Sequence, residues 1–187
     1  MDNHAERKLQ RAHLLDLRNS LNDRSEREVL VQRHVADWLL QAEVHSVGFY
    51  FPIRGEPDLR SVLAQWLMQG AGRIASMPVM TFSEQGAVLE FHAWTVDSPT
   101  QAGAYGIPIP AHSRIVRPEC LLIPCVGFDA QRFRLGYGGG YFDRTLAQAG
   151  TRPITVGIAF DATRVESISP QPHDVQLDVI ITDEGLH

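Results

Sequence analysis

A chain of 187 residues, 44% hydrophobic and 21% charged, has the make-up of a soluble protein large enough for one well-buried core, and it reads as a single domain over residues 1–187. Lys and Arg total 17 against 22 Asp and Glu, so the formal net charge of -5 argues against a general nucleic-acid or anionic-membrane binder. The N-terminus lacks an apolar signal core, no apolar run approaches spanning length, and Cys120 and Cys125 share one predicted strand too extended to bridge easily; a reduced, cytoplasmic protein is the expectation.

From Ala5 to about Leu40 apolar residues recur at helical spacing. Leu9, Leu14, Leu17 and Leu21 are assigned to one side, and Val29, Val31, Val35 and Leu39 follow the polar break Asn22-Asp23-Arg24-Ser25, which predicts two helices. Val44 to Phe51 reads as a strand closed by Pro52, Leu59 to Met68 as a helix stopped by Gly70, and Ile74 to Val79 as a short strand, together a β-α-β unit. Val88 to Trp94 alternates apolar and polar residues, as a half-exposed edge strand does. Gly103, Gly106, Pro108 and Pro110 then disfavour regular structure in a loop that is a candidate binding wall. Cys120 to Val126 is a continuous apolar strand, Tyr141 to Ala149 a helix, Ile154 to Phe160 a strand and Val179 to Thr182 a last short one. This order predicts an α/β fold: a mostly parallel sheet with helices on both faces, a Rossmann-like three-layer architecture with ligand at the carboxyl ends of the strands.

The chemically richest stretch is Arg134-Leu-Gly-Tyr-Gly-Gly-Gly-Tyr-Phe-Asp143-Arg144. Gly136, Gly138, Gly139 and Gly140 lie between a strand and a helix, where backbone N–H groups approach an anion with no Cβ in the way. Arg134 supplies a fork of donors for phosphate oxygens, and the following helix its dipole. Asp143 suits either the metal that accompanies a nucleoside triphosphate or the helix N-terminus itself. The stretch is neither a Walker A loop nor the dinucleotide fingerprint, so its own chemistry supports an anion site, ATP with magnesium being the natural occupant.

Further blocks extend along the chain. They are the basic first helix, Phe51-Pro-Ile-Arg-Gly-Glu56-Pro-Asp58, Tyr105-Gly-Ile-Pro, Leu122-Ile-Pro-Cys-Val-Gly-Phe-Asp129, Gly157-Ile-Ala-Phe160, His173-Asp174, Leu177-Asp178 and Ile180-Ile-Thr182. In this order, with the glycine stretch, they resemble the 5-formyltetrahydrofolate cyclo-ligase (methenyltetrahydrofolate synthetase) family over nearly the whole chain. The resemblance implies ATP-dependent closure of 5-formyltetrahydrofolate to 5,10-methenyltetrahydrofolate, through phosphorylation of the formyl oxygen and with release of ADP and phosphate. It implies a nucleotide site made of Arg7, Lys8, Leu9, Gln10 and Arg11 with Arg134, Leu135, Gly136, Tyr137, Gly138, Gly139, Gly140, Tyr141 and Phe142. Folate contacts by resemblance are Phe51, Glu56 and Tyr137 to Tyr141; magnesium ligands are Asp143 and Asp174; Arg134, Tyr141 and Asp143 form the catalytic set. A monomer is expected.

The chain departs from the family pattern at three places: Ile109 stands for a usual glutamate, Arg132 for a usual glycine and Thr163 for a usual glutamine. The first and third bear on the folate pocket or turnover, the second on the approach to the nucleotide loop. Two other readings remain at this level. A folate-binding protein without turnover would keep the pocket. A sugar-phosphate isomerase or acyl-CoA-transferring enzyme on a related scaffold would use the loop for another phosphate, though no catalytic carboxylate motif of that kind is identifiable.

Overall fold

The computed structural model describes residues 3–84 and 86–187. Its elements, in chain order, begin with α1 (Asn3–Asn19), α2 (Arg24–Gln41), β1 (Ser46–Gly48), α3 (Arg60–Met68), β2 (Ile74–Ser83) and β3 (Gly86–Trp94). There follow β4 (Thr100–Ala102), β5 (Pro108–Pro110), β6 (Ile115–Val116), β7 (Cys120–Pro124), β8 (Gly127–Asp129) and β9 (Arg134–Leu135). The chain closes with α4 (Tyr141–Ala147), β10 (Ile154–Ile158), β11 (Arg164–Val165), β12 (Val179–Thr182) and β13 (Gly185–Leu186).

An eight-stranded sheet in the order β13-β12-β10-β7-β1-β2-β3-β6 organises these elements. Its five central strands, β12 to β2, are parallel, and antiparallel partners flank them on both sides. Central parallel strands are covered on both faces, so they are apolar throughout, as β7 is, rather than alternating. Side-chain alternation divides β7: Cys120 and Leu122 join the core under α2 and α3, while Leu121 and Ile123 join Phe91, Ile180 and Leu146 of α4 on the opposite face. Three layers result, as the alternation of elements predicts.

Several expectations change in detail. The first strand is confined to Ser46–Gly48 because the chain turns away toward Pro52, although the Phe49 N–H still reaches the Ser76 carbonyl at 2.8 Å. The strand over Val88 to Trp94 is not an edge, since β6 pairs with it at Phe91 and His92. The Gly/Pro-rich loop holds a short β4–β5 hairpin. Helix α4 ends at Ala147, two residues early.

Leu9 and Val29 are 67% and 62% exposed, outside the core. Helix geometry accounts for both. Arg7, Arg11, Leu14 and Arg18 follow at i, i+4, i+7 and i+11, one face of a helix, with Leu9 on the opposite face. Val31, Val35 and Leu39 form the buried stripe of α2, which Val29 misses. The inward stripe of α1 is therefore mostly arginine, packed over a third core group of Leu14, Val126, Leu135 and Ile168. Among the described residues no helix is long and apolar enough to cross a membrane. Both cysteines are buried and unbridged, and burial pushes each thiol up to about 12.

Candidate functional site

Two cavities open where Tyr50 and Phe51 leave β1 and Pro124 ends β7. The first, about 570 Å³, has aromatic and aliphatic walls including Tyr50, Phe51, Met77, Leu89 and Ile109, with Glu56 set into one side. The second, about 380 Å³, is lined by Arg7, Arg11, Arg134, Asp143, His173 and Asp174 and by the backbone of residues 136–140. Pro124, Tyr137, Gly138, Gly139, Tyr141 and Phe142 border both.

The glycine stretch is what divides them. Gly138 and Gly140 have φ of 92° and 63°, left-handed conformations in which a Cβ would be strained. Two arginines hold the stretch from outside: Arg11 donates to the Gly136 carbonyl at 2.7 Å, and Arg144 to the Gly139 carbonyl at 2.7 Å. Helix α4 runs only from Tyr141 to Ala147 and its N-cap, Gly140, makes no side-chain cap, so its dipole is a minor source of positive potential. The arginines supply most of it.

In the polar cavity, Arg134 is buried and pairs with Asp143 at 3.0 Å, the side chains being 5% and 18% exposed. The other Asp143 oxygen accepts from the Val175 N–H at 3.2 Å. Across the cavity Arg7 forks onto both oxygens of Asp174, which also accepts from the Gln171 N–H. Burial would raise the Asp174 carboxyl, but Arg7 and the Gln171 N–H outweigh it and hold the group below the ordinary aspartate value. Three guanidinium groups thus face two carboxylates, a net positive cavity in a net acidic protein.

The donor set fits a magnesium ion completed by phosphate oxygens and water, which needs one or two carboxylates. Among the described residues there is no cluster of three or more metal-ligating side chains, so an all-protein cage is absent there. Asp143 and Asp174 are the pair available, and each is engaged by an arginine.

In the apolar cavity Glu56 is 5% exposed. One oxygen accepts from the Tyr137 hydroxyl at 2.8 Å and the other from the Ile53 N–H at 2.8 Å. Burial raises its pKa, offset in part by those two bonds and by Arg18 and Arg54. At the mouth, the Tyr105 and Tyr141 hydroxyls meet at 2.6 Å, a contact that raises the Tyr141 pKa.

The model of the 5-formyltetrahydrofolate cyclo-ligase family matches residues 3–183. The chain belongs to this family. Over 66 residues it is 46% identical to the 5-formyltetrahydrofolate cyclo-ligase of Mycoplasma pneumoniae, a stretch spanning 35% of this chain and 40% of that relative. Over 162 residues it is 29% identical to the cyclo-ligase of Haemophilus influenzae, spanning 82% of this chain and 84% of the relative. The solved 5,10-methenyltetrahydrofolate synthetase of Mycoplasma pneumoniae superposes with a TM-score of 0.74 at 25% identity, over 98% of this chain and 99% of that one.

Within this cyclo-ligase scaffold, the residues expected at the nucleotide site are brought together unevenly. Arg7 and Arg11 line the polar cavity, whereas Lys8 and Leu9 are exposed on the far side of α1 and Gln10 donates instead to the Ser167 carbonyl at 3.0 Å. Leu135 is fully buried in β9 and lines neither cavity. Gly136 and Gly140 face the polar cavity only, Tyr137 and Tyr141 both, and Phe51 and Glu56 the apolar one. Of the departures, Ile109 adds to the apolar wall, Thr163 is buried against Gly127, and Arg132 sits at φ 64°, where a glycine carries no strain. Arg54 and Tyr105 also line the apolar cavity, and Arg18 stands behind its wall, donating to the Tyr137 hydroxyl. Tyr105 was legible as an aromatic in a cavity-wall loop; the helix-face spacing of Arg7, Arg11 and Arg18 was the signal for Arg18.

Proposed function

We propose that this protein cyclises 5-formyltetrahydrofolate to 5,10-methenyltetrahydrofolate using ATP and magnesium, with ADP and phosphate as the other products. The observation that carries the reading is the shared wall: the glycine stretch has an apolar cavity of about 570 Å³ on one side and an arginine-lined cavity on the other. A nucleotide in the second would present its terminal phosphate along the same backbone that borders the first.

The γ-phosphoryl group passes to the formyl oxygen, the P–O bond to ADP breaking as the new one forms. The 10-nitrogen of the folate then attacks the formyl carbon and loses its proton, and the C–O bond breaks to release phosphate. No covalent enzyme nucleophile is needed. The protein's task is alignment and charge neutralisation. Arg134, Arg7 and Arg11 are the donors for phosphate oxygens, with the N–H groups of residues 136–140 beside them. Magnesium held by Asp143 and Asp174 would neutralise charge on those oxygens. With the metal held there, Asp143 and Asp174 would release Arg134 and Arg7 to the nucleotide. Tyr141 borders both cavities, which supports a role in orienting the formyl oxygen, while Phe51 and Glu56 line the apolar one, where Phe51 would cover the ring and Glu56 accept from pterin N–H groups.

The test mixes purified protein with 5-formyltetrahydrofolate, ATP and magnesium and follows methenyltetrahydrofolate absorbance. Product should require both ATP and the metal. An undiminished rate without ATP would sink the mechanism, and folate binding with no product under any condition would make this a folate-binding protein.

A further inference from the structure

Arg18 is the largest polar anomaly of the molecule. It is 1% exposed, and among the described residues no carboxylate touches it. Its Nη1 donates to the Cys125 carbonyl at 3.2 Å and its Nη2 to the Tyr137 hydroxyl at 2.7 Å, while Nε is buried with no partner among the described residues. A buried cation without a contacting anion opposes folding. Leu14, one turn earlier on the same stripe, shows that an apolar side chain packs well on this face of α1. Packing alone gives no reason for the arginine.

A reason lies in the direction of the protons. Arginine only donates, so the Tyr137 oxygen accepts from Arg18 and its own proton must go to Glu56. The second Glu56 oxygen meets another obligatory donor, the Ile53 N–H. Hydrogen bonds donated to both oxygens favour the carboxylate over the acid, and the lone pairs they leave free stay open to a ligand. The hydrogen-bonding frame therefore opposes the burial that favours the neutral acid. We propose that Arg18 is the positioning residue of the folate cavity: acting through Tyr137, it keeps Glu56 a pure acceptor and so fits the cavity to a ring with adjacent N–H donors.

This rests on the cyclo-ligase reading for the identity of the ligand, but not for the state of Glu56. The charged and titratable groups around Glu56 are Arg18 from α1, Tyr137 from the glycine stretch, Arg54 from its own loop, and Tyr50 and Cys125 beneath. Burial pushes Tyr50 and Cys125 upward, to about 12 for the thiol, so both stay neutral near pH 7. Among the described residues Arg18 and Arg54 are then the cations that bear on Glu56, and of these Arg18 is linked to it by hydrogen bonds through the phenol.

The experiment compares wild type with Arg18→Met, Arg18→Lys and Tyr137→Phe. Steady-state constants for 5-formyltetrahydrofolate and ATP are measured from pH 5.5 to 8.5, and the Glu56 carboxyl is titrated by carbon NMR without ligand. Arg18→Met should raise the KM for folate about tenfold while the KM for ATP stays within about twofold. Its folate affinity should fall as pH decreases, where wild type is flatter, and the Glu56 midpoint should rise by about a unit, a tenfold change in proton affinity. Arg18→Lys should restore part of the affinity. If Arg18→Met does not fold, Tyr137→Phe, which removes one oxygen, should show the same directions. Variants that fold yet keep the wild-type folate KM, pH profile and Glu56 midpoint overturn the proposal, as does equal loss of ATP and folate binding. A wild type that binds no 5-formyltetrahydrofolate overturns instead the reading of the ligand, and the NMR midpoint still decides the role of Arg18.

Discussion

Asp143→Asn separates two roles of one side chain, the ion pair with Arg134 seen in the structure and the magnesium ligand that we propose. Asn keeps an oxygen for the Val175 N–H, 3.2 Å away, but turns an amide NH₂ toward Arg134 in place of the carboxylate oxygen now at 3.0 Å. Arg134, with a side chain 5% exposed, is left as a buried cation facing a donor. Breaking a buried ion pair by removing one partner destabilises by about 3–5 kcal/mol. Asp143 is 18% exposed at a cavity wall, so water offsets part of this, and about 2–3 kcal/mol is the expected loss. For a domain of this size that corresponds to a drop in Tm of about 4–12 °C. The variant should stay folded at room temperature. If Asp143 also holds magnesium, the initial rate should fall strongly and more metal should be needed for half-maximal activity, because an amide oxygen is a poorer ligand than a carboxylate. Thermal unfolding and a magnesium titration of the rate read the two effects independently. A Tm within about 1 °C of wild type would refute the buried-pair reasoning. Wild-type rate and metal dependence would remove Asp143 from the catalytic set and leave Asp174 as the carboxylate to test.

Glu56→Gln should weaken folate binding by about tenfold or more with ATP binding nearly unchanged, since the amide must present its NH₂ to either the Tyr137 hydroxyl or the Ile53 N–H; calorimetry with each ligand checks this, and equal loss of both would point to misfolding. Asp174 has a folded pKa below its unfolded one, so its contribution to stability is complete above the ordinary aspartate value and lost as pH falls through the folded value. The difference in urea midpoint between wild type and Asp174→Asn should therefore be constant from about pH 8 to 5 and shrink below about pH 4; a difference unchanged down to about pH 2 would contradict the Arg7 pairing. Cys120 and Cys125, buried and pushed up to about 12, should resist alkylation in the native protein at pH 8; rapid iodoacetamide labelling seen by mass spectrometry would show that the core opens.

Long periodic segments and the glycine stretch were legible in the sequence because each is determined locally. The spacing of Val31, Val35 and Leu39 fixes a helix face, and the unbroken apolar run of β7 fixes a strand buried on both sides. Leu9 was misplaced because a leucine on an amphipathic helix is assumed to face inward, whereas α1 turns arginines toward the cavity. Arg18 was passed over for the converse reason: its spacing puts it on the face of Arg7 and Arg11, but a helical arginine is by default solvated, and its burial shows in its tertiary partners, 107 and 119 residues away. The β4–β5 hairpin and the sheet of β11, β8 and β9 rest on two- and three-residue strands, too short for any periodicity. The pairing of each aspartate with an arginine depends likewise on contacts across 9 residues for Asp143 and 167 for Asp174.

A partition as thin as one strip of backbone has a consequence for inhibitor chemistry. Pro124, Tyr137, Gly138, Gly139, Tyr141 and Phe142 are touched from both sides, so a compound joining a reduced pterin to a nucleoside polyphosphate need cross only the width of that strip. The second half would then bind as an intramolecular event, and a linker matched to the span can raise avidity by about 10²–10⁴ over either half alone. The same linker lengthened by a few bonds should lose much of that gain, which makes linker length a ruler for the distance between the two ligands.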